Sequence, residues 1–125
     1  MPLLTDFYHV LKLSSTKENT YEAIIRLNAD HAIFKGHFPN NPVTPGVCMM
    51  QIIKDLTEDI FQVPLFMKSS SNVKFMALIN PETSPELRLE LDYSGSTDSE
   101  LKVKNTTSFG DTTALKLTSV YVKEN

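Results

Sequence analysis

The sequence predicts an α+β layer architecture: one buried helix against an antiparallel sheet that wraps around it. Three observations lead there. One segment, residues 45–61, carries agreeing helix signals and is apolar on most sides in its first half. Two strand-like segments precede it and about four follow it, separated by turn residues. The chain has 125 residues, of which 41% are hydrophobic and 22% charged. That suits one domain over residues 1–125, at about 150 residues per domain, with a core and little tendency to disorder.

Residues 7–13 and 21–27 mix β-branched and aromatic side chains in partial alternation, and the polar stretch 14–20 between them reads as a turn, so the pair is predicted as two strands. The helix is predicted from about residue 45 to 61. Thr44 suits the N-cap, and Pro45 the first helical position, where its missing N–H costs nothing. Val47, Cys48, Met49, Met50, Ile52, Ile53, Leu56 and Ile60 make it apolar, the mark of a buried helix; Lys54, Asp55, Glu58 and Asp59 admit solvent to its second half. Residues 65–78, 86–94, 101–109 and 112–122 are predicted as strands. Residues 81–85, residues 95–98, and Gly110-Asp111 supply turns. Ser69-Ser70-Ser71-Asn72 fits a turn or a strand entrance.

Composition excludes several function classes. Twelve basic and fifteen acidic residues give a formal net charge of -3, which is no footprint for nucleic acid or anionic lipid. A single cysteine, Cys48, excludes an intrachain disulfide and a four-thiolate zinc site. The most apolar uncharged run, 47–53, is far short of the ~20 residues of a membrane span. The N-terminus lacks the basic and apolar regions of a signal peptide, so the expected compartment is the cytoplasm. His9 and His31 have no ligand-like neighbours in the sequence, and neither a metal nor a cofactor is expected.

Glycine and proline are unevenly placed. Of four glycines and seven prolines, two and three fall within residues 36–46, in Gly36-His37-Phe38-Pro39-Asn40-Asn41-Pro42-Val43-Thr44-Pro45-Gly46. Pro39, Pro42 and Pro45 fix φ at every third position and stiffen the loop. His37 is the side chain suited to exchange protons near neutral pH. Gly46 leaves its backbone N–H open at a helix N-terminus, where a carbonyl oxygen can be bound. A base beside such a donor is what removing a proton α to a thioester carbonyl requires. A structural loop histidine before a capped helix fits the same residues, and on these grounds alone both readings stand.

The segment resembles the signature of the hot-dog-fold 3-hydroxyacyl-acyl-carrier-protein dehydratases, Gly-His-Phe-Pro-Gly-x-Pro-x-x-Pro-Gly-Val. Gly36, His37, Phe38, Pro39, Pro42, Pro45, Gly46 and Val47 match it. Phe34, Val73-Lys74-Phe75 with Ile79-Asn80-Pro81, residues 87–91 and the hairpin 107–122 are similar to flanking family elements. The resemblance implies a hot-dog fold and a homodimer whose sites form between protomers. It implies dehydration of 3-hydroxyacyl thioesters to trans-2-enoyl thioesters in fatty-acid, polyene or polyketide-type lipid biosynthesis, with an acyl carrier protein as the substrate's carrier. It makes His37 the catalytic base, Gly46 N–H the donor to the thioester carbonyl, and Val43 C=O the group that orients the imidazole, with Val47 beside them.

The family's second catalytic residue is an Asp or Glu fourteen positions after the histidine; here that position holds Gln51. An amide has no titrating proton to give. Gln51 can orient the hydroxyl or a water, or simply satisfy local backbone groups. Asp55, one turn on, either supplies the displaced acid or is a solvated helix carboxylate. His37 acting alone as base and acid, and loss of activity, are the further alternatives. Asn40 replaces a family glycine, and Thr44 an apolar residue. Cys48 reads as a small buried hydrophobe. Met49, Met50, Ile53, Leu56, Phe61 and Phe66 are expected in the core or along an acyl tunnel. Lys35, Lys54, Lys68, Lys74 and Arg88 are candidates for docking a carrier. Two other function classes stay open: a hot-dog acyl thioesterase using Asp55, and a non-catalytic acyl-binding partner subunit.

Overall fold

In the computed structural model of the chain, residues 6–36, 42–95 and 97–124 are described. Their order is β1 (Tyr8–Lys17), β2 (Thr20–Leu27), α1 (Ala32–Gly36), α2 (Gly46–Phe61), β3 (Leu65–Phe75), β4 (Glu86–Ser94), β5 (Glu100–Phe109) and β6 (Thr112–Lys123). The six strands form one sheet in the order β1-β2-β4-β5-β6-β3, and every neighbouring pair is antiparallel. This is the predicted α+β wrap.

The core lies between α2 and the inner face of the sheet. Leu87, Leu89, Leu91 and Tyr93 alternate along β4 with exposed residues, and Leu101 and Val103 do so on β5. Against them α2 buries Cys48, Met49, Ile52, Ile53, Leu56 and Thr57. The helix's one buried polar side chain is satisfied twice: Thr57 Oγ1 donates to Ile53 O (2.7 Å) and shares a hydrogen bond with Tyr93 OH (3.0 Å).

The strands depart from expectation at specific places. Residues 14–17 are strand, not turn; the hairpin reverses at Glu18-Asn19, where Asn19 takes φ 61°. Asparagine tolerates that left-handed geometry. The strand following α2 stops at Phe75, after which the N–H groups of Met76 and Ala77 both donate to Ala114 O. The serine run lies inside β3, and Asn72 (φ 53°) falls in a stretch where the register with β6 shifts, so the polar stretch marks a bulge. Helix α1 is new. Five residues are too few to show a period, but His31 Nδ1 caps it by accepting from Ile33 N–H (3.1 Å), and Phe34 is buried against Phe7 with centroids 5.0 Å apart.

Helix α2 itself corrects two expectations. Its N-cap is Pro45 (φ -62°, ψ 143°), without a side-chain cap hydrogen bond. Thr44 therefore does not cap it. Nor is the helix sheathed on all sides within one chain: Val47 is 74% exposed and Met50 partly so. Phe66, expected in the core or along an acyl tunnel, is 61% exposed on β3.

Tyr121, fully buried on β6, has its phenol pushed up to about 12. Burial is the largest cause; the nearby Glu58 and Asp55 carboxylates add to it, and a hydrogen bond with Ser119 opposes them. The unfolded chain releases this proton near pH 10, and the folded chain keeps it. Stability is therefore intact below pH 10 and falls as pH rises toward 12, by about 1.4 kcal/mol per pH unit. In urea unfolding between pH 9 and pH 12, Tyr121→Phe should lose stability less steeply than the wild type, by about the slope of this one group; the raised Tyr8 and Tyr93 phenols keep the remainder.

Candidate active site

A cleft of about 430 Å³ opens at the N-terminus of α2. One wall is residues 43–46 with Met49; the other is the chain from Phe75 to Ile79, running out of β3. The two walls are tied together where Thr44 N–H donates to Ile79 O (2.8 Å). The lining is mostly apolar. Pro45 O accepts from Cys48 N–H (3.0 Å) and Met49 N–H (3.3 Å), which opens the helical ladder. The N–H groups of Gly46 and Val47 precede that ladder, so α2 leaves them available at its positive end. Gly46 lies under the ring tip of Phe75: an added Cβ would stand 2.5 Å from Phe75 Cζ, so a side chain here would have to displace that exposed ring. Thr44 is 6% exposed and its Oγ1 is buried with no hydrogen-bond partner among the described residues. An unmade bond to a buried hydroxyl costs about 1–3 kcal/mol, so this is an unusual group to keep beside a cleft.

A second cluster sits on α2 around Gln51. Gln51 Nε2 donates to Asp55 Oδ1 (2.8 Å), and Tyr8 OH, from β1, donates to Asp55 Oδ2 (3.0 Å). Both carboxylate oxygens are thus acceptors in made hydrogen bonds. Asp55 is partly buried and held from two sides, and Gln51 serves a side chain rather than backbone groups. Burial, then the Asp55 charge and hydrogen bond, raise the Tyr8 phenol well above its ordinary value, so Tyr8 stays a donor. Tyr8 escaped the sequence reading because its partner is 47 residues away on another element; only its place at the head of a strand facing the helix signals it. Tyr8→Phe should cost about 1 kcal/mol in denaturant unfolding and shift the Gln51 side-chain amide resonances. Unchanged resonances would show that the three groups do not act together.

The predicted site residues are thus divided. Val43 and Gly46 meet at the cleft. Gln51 lines a separate depression of about 230 Å³ with Val47, Met50, Lys54 and Met67, and the two share no lining residue. Met49 and Gln51 are two residues apart, about 200° around a helix, so one chain cannot turn both toward the same space. His37 and Asn40 lie outside the described residues, as does the side chain of Lys35. Cys48 is buried and its thiol pushed up by burial, the opposite of an activated nucleophile. Met49, Ile53 and Leu56 are core. Of the basic candidates, Lys68 already meets Glu100 (2.7 Å) and Arg88 meets Glu22 (3.6 Å). Among the described residues no helix is long and apolar enough to cross a membrane.

The model of the ApeI-like family, described as ApeI dehydratase, matches residues 13–113. The chain belongs to the ApeI-like dehydratase family. It is also similar to a 3-hydroxyacyl-(acyl-carrier-protein) dehydratase FabZ of Caulobacter vibrioides, 27% identical over 77% of this chain and 67% of that protein. The FabZ of Latilactobacillus sakei is 33% identical over 56% of each. Among solved structures, the dehydratase heterocomplex ApeI:P from Xenorhabdus doucetiae superposes with TM-score 0.72 at 18% identity, covering 91% of this chain and 96% of that one. A hypothetical thioesterase with coenzyme A from Streptococcus pneumoniae gives 0.69 at 8% identity, covering 99% and 92%. At these identities the superpositions establish the fold, which is the α+β hot-dog fold.

Proposed function

We propose that this chain dehydrates 3-hydroxyacyl thioesters carried on an acyl carrier protein, giving trans-2-enoyl thioesters in fatty-acid or polyene/polyketide-type lipid biosynthesis in the cytoplasm. The observation that carries the reading is the cleft at the start of α2. An apolar wall there suits an acyl chain, and the Gly46 N–H, not spent in the helix, suits a thioester carbonyl. The family membership supplies the reaction class.

In this mechanism the thioester carbonyl accepts from Gly46 N–H, which stabilises the charge that develops on oxygen as the α-proton leaves. His37, oriented by Val43 C=O, takes that proton. The C–H electrons form the C2–C3 double bond, and the C3–O bond breaks. His37 then returns the proton to the departing hydroxyl, so water leaves and the base is restored. Gln51 replaces the family's acid. One of its two Nε2 hydrogens is held by Asp55, which orients the amide so that its carbonyl oxygen accepts from the substrate's 3-hydroxyl and holds it near the imidazole. Asp55 accepts on both oxygens and fixes that orientation.

The division between the two faces of α2 supports a two-chain site, with His37 of one protomer facing Gln51 and Asp55 of the next. β3 ends the sheet and exposes Phe66, Val73 and Phe75 along that edge, which supports pairing with a second copy. The test is incubation of the purified chain with a 3-hydroxyacyl thioester on a carrier protein and, separately, on pantetheine. Enoyl thioester is the expected product. Free thiol would instead favour a thioesterase, and no conversion in either direction would favour an acyl-binding subunit; either outcome overturns the proposal.

A further inference from the structure

Thr44 is the polar side chain that the mechanism leaves unused. It lines the cleft two residues before Gly46, is more than nine-tenths buried, and its hydroxyl has no hydrogen-bond partner among the described residues. It does not cap the helix, whose N-cap is Pro45. Its backbone is fixed to the opposite wall through Ile79 O, so the residue belongs to a tethered part of the cleft wall, with the hydroxyl oxygen covered in this structure. The rest of the lining named above is apolar apart from backbone groups. A hydroxyl kept unpaired in such a wall costs stability, and valine would fill nearly the same volume without that cost.

We propose that the Thr44 hydroxyl is a second donor to the substrate's thioester carbonyl, acting with the Gly46 N–H. The inference deepens the dehydratase reading and rests on it. Phe75, 57% exposed with its ring tip over Gly46, is the group that gives way when a ligand enters. A carbonyl oxygen has two lone pairs, and placing one donor at each holds the acyl plane in a fixed orientation for proton removal.

The test is a double-mutant cycle between ligand and protein, read by binding rather than turnover. Butanoyl-pantetheine thioester and S-butyl-pantetheine thioether differ in the carbonyl oxygen. Their dissociation constants are measured by amide NMR titration for the wild type, Thr44→Val and Thr44→Ser. The wild type should prefer the thioester by about tenfold. Thr44→Val should shrink that preference to about threefold or less, while thioether affinity and thermal midpoint hold or rise; Thr44→Ser should restore it. A preference unchanged in Thr44→Val overturns the Thr44 assignment and leaves the dehydratase reading intact. If the wild type binds neither ligand, the dehydratase reading itself falls.

Discussion

His37→Ala should lower the dehydration rate by about 10²–10⁴-fold, the range for removing a general acid–base group. In the mechanism above one imidazole both takes the α-proton and returns it to the hydroxyl, because Gln51 has no proton to offer and both oxygens of Asp55 are engaged as acceptors. Two chemical steps therefore fail together, which places the loss toward the upper end. The loss belongs in kcat, with KM little changed, since acyl burial and the Gly46 donor remain. The pH profile of kcat/KM should show the histidine in the wild type. An alanine variant within a few-fold of wild type would remove His37 from the chemistry.

Gln51→Glu tests the same arrangement from the other side. It sets a second carboxyl where Nε2 now lies 2.8 Å from Asp55 Oδ1. Two carboxylates at that distance cannot both ionise freely, so the pair holds one proton more tightly when folded than when unfolded. Its stability effect is absent below about pH 4, where the unfolded carboxyls are also protonated. Stability then falls as pH rises, by about 1–3 kcal/mol at neutral pH. The retained proton is what the family's acid supplies, so the turnover rate should rise about tenfold or more. Equal stability of variant and wild type at pH 4 and pH 8 would show that the two side chains are not coupled.

Much of the fold was legible because its signals are local. The strand 86–94 alternates cleanly, and its predicted ends are those of β4. The proline and glycine punctuation placed the start of α2 within one residue. What the sequence could not show is long-range. Ser14, Ser15 and Thr16 are polar, yet pairing with β2 makes them strand. Thr44 has the chemistry of an N-cap, but its backbone bond to Ile79 draws it into the cleft wall. Val47 looks like core and stands exposed. Gly46 follows a proline expected at the first helical position and observed at the N-cap, and it lines the cleft there. Tyr8 was not, because its role exists only once β1 lies beside α2.

The central claim is reversible removal of an α-proton at the helix N-terminus. Running the reaction backward in deuterated water tests it most directly. A trans-2-enoyl thioester incubated with the purified chain should become a 3-hydroxyacyl thioester with one deuterium at C2, read by mass spectrometry and proton NMR. An enoyl thioester recovered unchanged, or cleaved to free thiol, would contradict the account.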